Sequence, residues 1–404
     1  MAPLSPIAVP EETRRSERGA QEVRRRPHLP LDPLLTLAVL ALGICSVGIL
    51  GWVTSEVVPG QPHYYSERQA AYLIIGVVLM VVAARFDYAR LRHYKVAIYA
   101  GLLLSILAVL GAGHGANGAV RAISFPFFSF QASELGKVLL ILALSALVVD
   151  RSRQLRERET TARVMLATLV PAMFVIAQPD LGSGLVYVTI ALTLLFVAGV
   201  PWSHLAGLVG LGAVAIALVL VVAPAAGVHV LKPFQVERLT AFLHPSDNPE
   251  KKASYQQLES KIAIGAGQRT GSGANDTQIK GNYVPEDSTD FIFAAIGERY
   301  GFVGAALVLS LYALLIWRAL RILTMAKDLF GALVAGGVVA MLMFQVFVNV
   351  GMAVGIMPVT GVTLPLMSYG GSSVIATLLA VGLLQSIYVQ ARATEALKGR
   401  VLRP

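Results

Sequence analysis

The stretch "PLLTLAVLALGICSVGILGWVT", residues 33–54, contains no charged residue. An α-helix rises about 1.5 Å per residue, so a run of this length can cross a hydrocarbon core about 30 Å thick. A second run of this kind is "HLAGLVGLGAVAIALVLVVAPAAGV", residues 204–228. These runs predict helices that span a membrane.

The composition of the whole chain agrees with that prediction. Of its 404 residues, 55% are hydrophobic and 14% are charged, whereas soluble domains carry about 25% charged residues. The net charge of +9 is typical of nucleic-acid binding, but the Lys and Arg residues lie in short segments between the apolar runs. We therefore expect a polytopic membrane protein with no nucleic-acid partner.

Cysteine and histidine usage argues against a disulfide framework and a structural metal. The one cysteine, Cys45, lies inside the first apolar run, and the seven histidines are scattered without metalloprotease-type spacing. The first 30 residues are polar and rich in Arg, and they lack the apolar core of a signal peptide. We interpret residues 1–32 as a flexible basic tail.

Ten apolar segments are candidate membrane spans, which predicts an all-α fold of about ten transmembrane helices. They occupy residues 33–54, 69–85, 95–113, 131–149, 162–178, 182–199, 203–223, 290–317, 329–356 and 368–389.

The basic residues predict the orientation of these spans. Arg and Lys gather in the N-terminal tail, in the connections after spans two, four and eight, and in the C-terminal tail. In a ten-span chain these segments share one side of the membrane, and positive charge in short connections marks the cytoplasmic side. Both termini are therefore predicted to be cytoplasmic, with a membrane domain at 33–390 and a second tail at 391–404.

The connections on the other side are then extracytoplasmic, and one of them is long. It covers residues 224–289, between spans seven and eight, and includes the amphipathic stretch "SYQQLESKIAIGAG" at 254–267. Connections of this length are usually functional or disordered.

Ionisable residues near the apolar segments converge on the outer side. Charged groups at membrane depth are costly and often functional. The candidates are Glu134, Lys137, Asp180, Asp290 and Glu298. This convergence predicts a site at the outer leaflet, which fits a transporter, a channel-like protein or an enzyme that acts on a lipid-linked substrate.

Each candidate also has a purely structural interpretation. Glu134 and Lys137 could form an intrahelical pair at a helix start, and Asp180 could cap span six. Any of residues 288–290 could cap span eight. The stretch "LMSYGGSS" at 366–373 could be a flexible turn or an irregular backbone that lines a cavity. The residues alone leave these alternatives open.

Several motifs, in order along the chain, resemble those of the SEDS family, the RodA and FtsW peptidoglycan glycosyltransferases. They are "NGAVR" at 117–121, "QASELGK" at 131–137, "QPDLGSG" at 178–184, "RLTAFLHP" at 238–245, "YQQLESKIAIGAG" at 255–267, "VPEDSTDFIFAAIGERYGFVG" at 284–304 and "NVGMAVGIMPVTGVTLPLMSYGGSS" at 349–373. The chain departs from the family pattern at Ala132, where the family has proline, at Ala122, at "GAGQ" and at Glu298-Arg299.

The resemblance implies an enzyme that polymerises lipid II at the outer face of the bacterial cytoplasmic membrane. It places the family's catalytic aspartate at Asp290, as general base. It also implies substrate-binding roles, which we assign to Arg121, Glu134, Lys137, Asp180, Arg238, Ser368, Gly370 and Gly371. No metal ligands are assigned and no cofactor is expected with certainty. A divalent cation could assist the departure of the undecaprenyl pyrophosphate group of lipid II.

The family also implies a partner, a class B penicillin-binding transpeptidase. The stretches at 231–245 and 278–284 favour the RodA (elongation) branch over the FtsW (division) or sporulation branches. Two alternatives remain: a lipid II flippase whose acids line a transport path, and an unrelated transporter or scaffold whose acids only cap helices.

Overall fold

The computed structural model describes residues 31–55, 57–112, 122–225, 252–273 and 288–401, and the structural statements below concern these residues. Helices dominate, because a chain in lipid must satisfy its backbone hydrogen bonds within its own segments. The α-helices are α1 Pro33–Val53, α2 Tyr64–Arg85, α3 Tyr88–Leu91, α4 Lys95–Ala112, α5 Ala132–Asp150, α6 Arg158–Ala177, α7 Leu181–Val197, α8 Trp202–Ala217, α9 Ala223–Ala225, α10 Lys252–Ala266, α11 Ile292–Met325, α12 Leu329–Val354 and α13 Gly371–Val401.

Shorter elements join some of these helices. Two 3₁₀ turns lie at Arg92–Tyr94 and Ser152–Gln154, and a π-helical turn at Leu218–Val222 continues α8. An antiparallel hairpin of two-residue strands, β1 Ile123–Ser124 and β2 Ser129–Phe130, pairs Ile123 with Phe130 just before α5.

The ten predicted spans coincide with helices. Eight helical segments of the described chain are long and apolar enough to cross a membrane, with α3 and α4 counted as one segment. The helices α7 and α8 are apolar but shorter. The protein is therefore an all-α, multi-pass membrane protein.

Two helix ends differ from the predictions. The helix α11 begins at Ile292 and its N-cap is Phe291, so the interpretation of residues 288–290 as its N-cap was wrong. Residues 288–290 form a turn just before the helix, because hydrogen bonds from other segments hold their backbone. The helix α13 continues to Val401, so most of the predicted tail at 391–404 is helical.

The centre of the bundle is formed by α12, α13 and α5. Buried side chains cover most of α12, which packs against α5, α7 and α11, while α13 packs along α2. Met343 and Phe347 of α12 are about half exposed and mark the face that points to lipid. The opposite face of α12 therefore points into the bundle.

The helix α11 is kinked at Gly301, which has φ 61° and ψ −158°. This left-handed φ favours glycine because a side chain would be strained there. The kink releases the backbone N–H groups of Phe302 and Val303, which donate to the carbonyls of Gln268 and Arg269 at 2.9 and 3.1 Å. The segment after α10 is thereby held against α11.

The helix α10 lies in the long connection, and it packs on the end of α12. The hydroxyl of Ser260 donates to the carbonyl of Ala353 at 2.9 Å. The side-chain amide of Gln257 donates to the carbonyl of Met357 at 3.0 Å. The amphipathic stretch predicted at 254–267 is thus a helix docked on the bundle.

A polar cluster closes the opposite end of the bundle, where α1 begins. Asp32 is fully buried and forms a salt bridge with Arg318 of α11. Its backbone N–H donates to the side chain of Gln385 at 2.7 Å. The cluster joins the starting point of α1 to α11 and α13.

Candidate active site

Asp290 lies in the turn that precedes α11, and its backbone is held from α12. The side-chain amide of Asn349 donates to the carbonyl oxygens of both Asp290 and Val362, each at 2.8 Å. Asn349 is fully buried and Asp290 is half-buried. The aspartate therefore sits on a backbone anchored to the bundle, with its side chain at the edge of the buried region.

The two residues before Asp290 are held by the "LMSYGGSS" segment. The hydroxyl of Ser368 donates to the carbonyl of Thr289 at 2.5 Å. The backbone N–H of Tyr369 donates to the carbonyl of Ser288 at 2.9 Å. Three consecutive carbonyls, those of residues 288–290, thus accept hydrogen bonds from the region between α12 and α13 or from α12 itself.

The segment from 355 to 370 is an irregular backbone, and residues 364–368 of it are buried in protein. Leu364, Met367 and Ser368 are at most 1% exposed, and the backbone N–H of Leu364 donates to the hydroxyl of Ser368 at 2.8 Å. Irregular backbone at membrane depth requires such internal partners. Of the two interpretations left open above, the structure excludes an exposed flexible turn.

Gly371, the first residue of α13, lies beside aromatic side chains. A Cβ atom on Gly371 would lie 3.0 Å from Phe128 and 3.1 Å from Tyr72, so this position is tightly packed. The ring of Tyr369 packs edge-on against Tyr65, with centroids 4.9 Å apart.

Glu134 and Lys137 form a buried ion pair in the first turns of α5. The Lys137 Nζ lies 2.7 Å from Glu134 Oε1, and the two side chains are 2% and 6% exposed. A desolvated ion pair contributes little net stability, whereas loss of one partner leaves an expensive buried charge. Stability alone therefore does not account for the presence of this pair. The pair places a cation and a carboxylate inside the bundle.

Asp180 is the N-cap of α7 and also holds the start of α5. One carboxylate oxygen accepts from the backbone N–H of Ser183 at 3.0 Å. The other accepts from the hydroxyl of Ser133 at 2.9 Å and from the amide of Gln131 at 3.4 Å. The predicted capping role is confirmed, and Asp180 orients the turn that carries Glu134.

Further contacts connect these groups into one region. A Cβ on Gly182 would lie 2.5 Å from Val362, which itself accepts from Asn349. The hydroxyl of Ser372 accepts from the backbone N–H of Gln131 at 2.9 Å. The structure thus brings the N-terminal ends of α5, α7 and α13 and the turn at Asp290 to the same end of the bundle.

Not every predicted site residue can be placed there. Arg121 and Arg238 lie outside the described residues. The structure adds Asn349, Ser133 and Ser372, three neutral polar residues to which neither the charge pattern nor the resemblance gave a role. A neutral amide in the apolar sequence of α12 was the available signal for Asn349.

Across the described ranges no group of three or more His, Cys, Asp or Glu side chains gathers in a way that could hold a metal ion. Assistance by a divalent cation stays a prediction.

The comparisons with known proteins agree on one family. The family model described as cell cycle protein, FtsW/RodA/SpoVE, matches residues 31–393. The chain is 33% identical to stage V sporulation protein E of Bacillus subtilis, with 88% of this chain and 95% of that protein covered. It is 36% identical to the probable peptidoglycan glycosyltransferase FtsW of Thioalkalivibrio sulfidiphilus, with 92% of each chain covered. Identity to the peptidoglycan glycosyltransferase RodA of Treponema pallidum is 35%, with 88% of this chain and 97% of that protein covered.

Solved structures give the same result. A chain from a peptidoglycan synthase complex that coordinates polymerization and crosslinking superposes with a TM-score of 0.74 at 33% identity, over 90% of this chain and 99% of that one. The rod shape determining protein RodA of Thermus thermophilus superposes with a TM-score of 0.63 at 30% identity, over 90% of this chain and 97% of that one. The chain belongs to the FtsW/RodA/SpoVE family of cell cycle proteins.

Proposed function

We propose that this chain is a peptidoglycan glycosyltransferase that polymerises lipid II into glycan strands at the outer face of the bacterial cytoplasmic membrane, with both termini in the cytoplasm. Its relatives FtsW and RodA are named a probable peptidoglycan glycosyltransferase and a peptidoglycan glycosyltransferase. The observation that supports the proposal is the anchored, half-buried Asp290, whose backbone carbonyl accepts a hydrogen bond from buried Asn349.

The reaction is a single displacement at the donor sugar. The 4-hydroxyl oxygen of the acceptor attacks the anomeric carbon of the donor, and the bond from that carbon to the undecaprenyl pyrophosphate breaks. Asp290 accepts the proton of the hydroxyl as general base. A carboxylate on a fixed backbone suits this role, because proton transfer requires hydrogen-bond distance and a defined direction.

The leaving pyrophosphate carries the developing negative charge, which requires cations nearby. Lys137 is the described candidate, and Arg121 and Arg238 are candidates from the sequence. Glu134 holds the Lys137 ammonium at 2.7 Å, and Asp180 orients the turn from which both project. Ser368, Gly370 and Gly371 belong to the segment that holds the Asp290 turn and would contact substrate from that side.

The proposal extends to a partner and a biological role. A class B penicillin-binding transpeptidase would crosslink the strands that this chain polymerises, in keeping with the synthase complex to which it is similar. The RodA-like features of the sequence favour a role in cell elongation and shape. Relatives named for sporulation and for the FtsW branch have comparable identity, so the role is a proposal that rests on the sequence motifs.

The test is polymerisation of fluorescently labelled lipid II by the purified chain with a class B partner, resolved by gel electrophoresis. Wild type should form glycan polymer, and Asp290→Asn should form none. A matched control is Asp150→Asn, which changes an acid paired with Arg92 and Lys95 at the opposite end of α5. Lipid II transport without polymer would favour a flippase, and a normal rate for Asp290→Asn would exclude Asp290 as the base.

A further inference from the structure

The helix α12 carries a second buried amide side chain, Gln345, which unlike Asn349 makes no hydrogen bond through its amide group within the residues that the structure describes. Gln345 is 1% exposed, and neither its Nε2 nor its Oε1 atom has a hydrogen-bond partner in the described chain. Buried polar atoms in native proteins are nearly always hydrogen-bonded. Natural sequences break such local rules chiefly at functional sites. Gln345 therefore calls for a functional explanation.

The face and level of Gln345 follow from helix geometry. It lies midway between Met343 and Phe347, two exposed residues of α12, and successive residues turn by about 100°, so it points into the bundle. Gly337 contacts α5, since a Cβ there would lie 2.8 Å from the side chain of Ile141. Gln345 lies eight residues beyond Gly337 toward the outer end, which is about 12 Å along the axis.

The Glu134–Lys137 ion pair lies at a comparable distance from the Gly337–Ile141 contact, measured along the axis of α5. In the ten-span order α5 and α12 are antiparallel, so the outer direction on α5 runs from Ile141 toward lower residue numbers. Glu134 and Lys137 precede Ile141 by seven and four residues, which places both on the helix face that Ile141 presents to α12. Gln345 and the Glu134–Lys137 pair therefore lie at a similar level of the bundle, with Gln345 turned by about 80° around the α12 axis from Gly337.

The chemistry of the two groups is complementary. An amide offers one donor group beside one acceptor, and a carboxylate–ammonium pair offers an acceptor beside a donor. Asn349 lies one helical turn farther out on α12 and holds the backbone of Asp290. The two α12 amides thus form a polar row between the ion pair and the turn of the proposed base.

We propose that Gln345 is a positioning residue of the glycosyl transfer site. When substrate is bound, its Nε2 donates to the Glu134 carboxylate and its Oε1 accepts from Lys137, which directs the ammonium toward the departing pyrophosphate. In the substrate-free protein the amide has no such bond. This inference rests on the proposed function, because it assigns Gln345 a role in the same reaction.

The experiment compares Gln345→Met with wild type in the polymerisation assay and in thermal unfolding in detergent. Methionine keeps the length of glutamine and removes the unpartnered amide, so the melting temperature should be unchanged or higher. The kcat should fall about tenfold, as is found when hydrogen-bond partners behind site residues are removed, while KM stays nearly constant. The control is Ser145→Ala, because the Ser145 hydroxyl is also buried and unpartnered on α5 but lies farther from the outer end.

The outcomes separate this inference from the proposed function. A higher melting temperature with a lower kcat supports a positioning role, provided that Ser145→Ala keeps wild-type kcat. Wild-type kcat in Gln345→Met overturns the inference and leaves the proposed function intact. A lower melting temperature overturns it as well, since the amide would then be bonded in the resting protein. A wild-type protein without polymerase activity contradicts the proposed function itself.

Discussion

The side-chain amide of Asn349 donates a 2.8 Å hydrogen bond to the backbone carbonyl of Asp290. These residues are far apart in sequence, and one lies inside a membrane helix while the other lies in the turn before α11. The bond ties the position of the proposed base to the centre of the bundle.

Replacement of Asn349 by Leu should weaken catalysis more than it weakens the fold. Leucine has a similar volume but leaves the carbonyls of Asp290 and Val362 without their donor, which costs about 1–3 kcal/mol of unfolding free energy. Misplacement of a reacting group by about 1 Å can lower the rate about 100-fold. The polymerisation rate and the thermal melt would be measured together. Ser260→Ala serves as the control, because the Ser260 hydroxyl bonds to Ala353 at the end of α12 and not to Asp290. An equal rate loss in both variants would argue against a specific role for Asn349.

Replacement of Ser368 by Ala should also lower the polymerisation rate. The hydroxyl of Ser368 donates to Thr289 and accepts from Leu364, so its loss loosens the turn before Asp290 and the buried segment at once. The lost hydrogen bonds are each worth about 1 kcal/mol. The comparison is with Ser310→Ala, whose exposed hydroxyl bonds only to its own helix. Equal rates for the two variants would show that the Ser368 contact does not position Asp290.

Single changes in the ion pair should destabilise the protein more than a double change. Glu134→Leu leaves the Lys137 ammonium buried and unpaired, at a cost of about 3–5 kcal/mol. The double variant Glu134→Leu with Lys137→Met removes both charges and should recover much of that loss in thermal unfolding, yet remain inactive. Recovery of activity in the double variant would remove Lys137 from the proposed mechanism.

Replacement of Arg318 by Met should affect stability and not chemistry. It leaves fully buried Asp32 without its cation, at a cost of about 3 kcal/mol. The cluster lies at the end of α11 away from Asp290, so the rate per folded molecule should match wild type. The control is Arg163→Met, which breaks an exposed pair with Glu159 worth less than about 1 kcal/mol. A similar melting temperature for both variants would contradict the structural role of the Asp32 cluster.

The apolar periodicity predicted the helices well because lipid leaves the backbone few alternatives. A segment such as 33–54 forms a helix in a membrane whatever surrounds it, since its carbonyls find donors only within the segment. The predicted spans therefore coincide with α1, α2, α4–α8 and α11–α13. The start of α11 was less predictable: good capping residues occur at 288–290, but contacts from Asn349, Ser368 and Tyr369 hold that turn outside the helix.

The sequence by itself determined the all-α class and the positions of the long apolar helices, because these depend on local hydropathy. Only the tertiary structure decided how the pieces meet: that Asp180 holds Ser133, that Glu134 pairs with Lys137 inside the bundle, and that α12 carries the amide that anchors Asp290. Such contacts join residues from different helices. Their formation depends on helix packing and on the need of each buried polar group for a partner. Neither can be deduced from the sequence of a single segment.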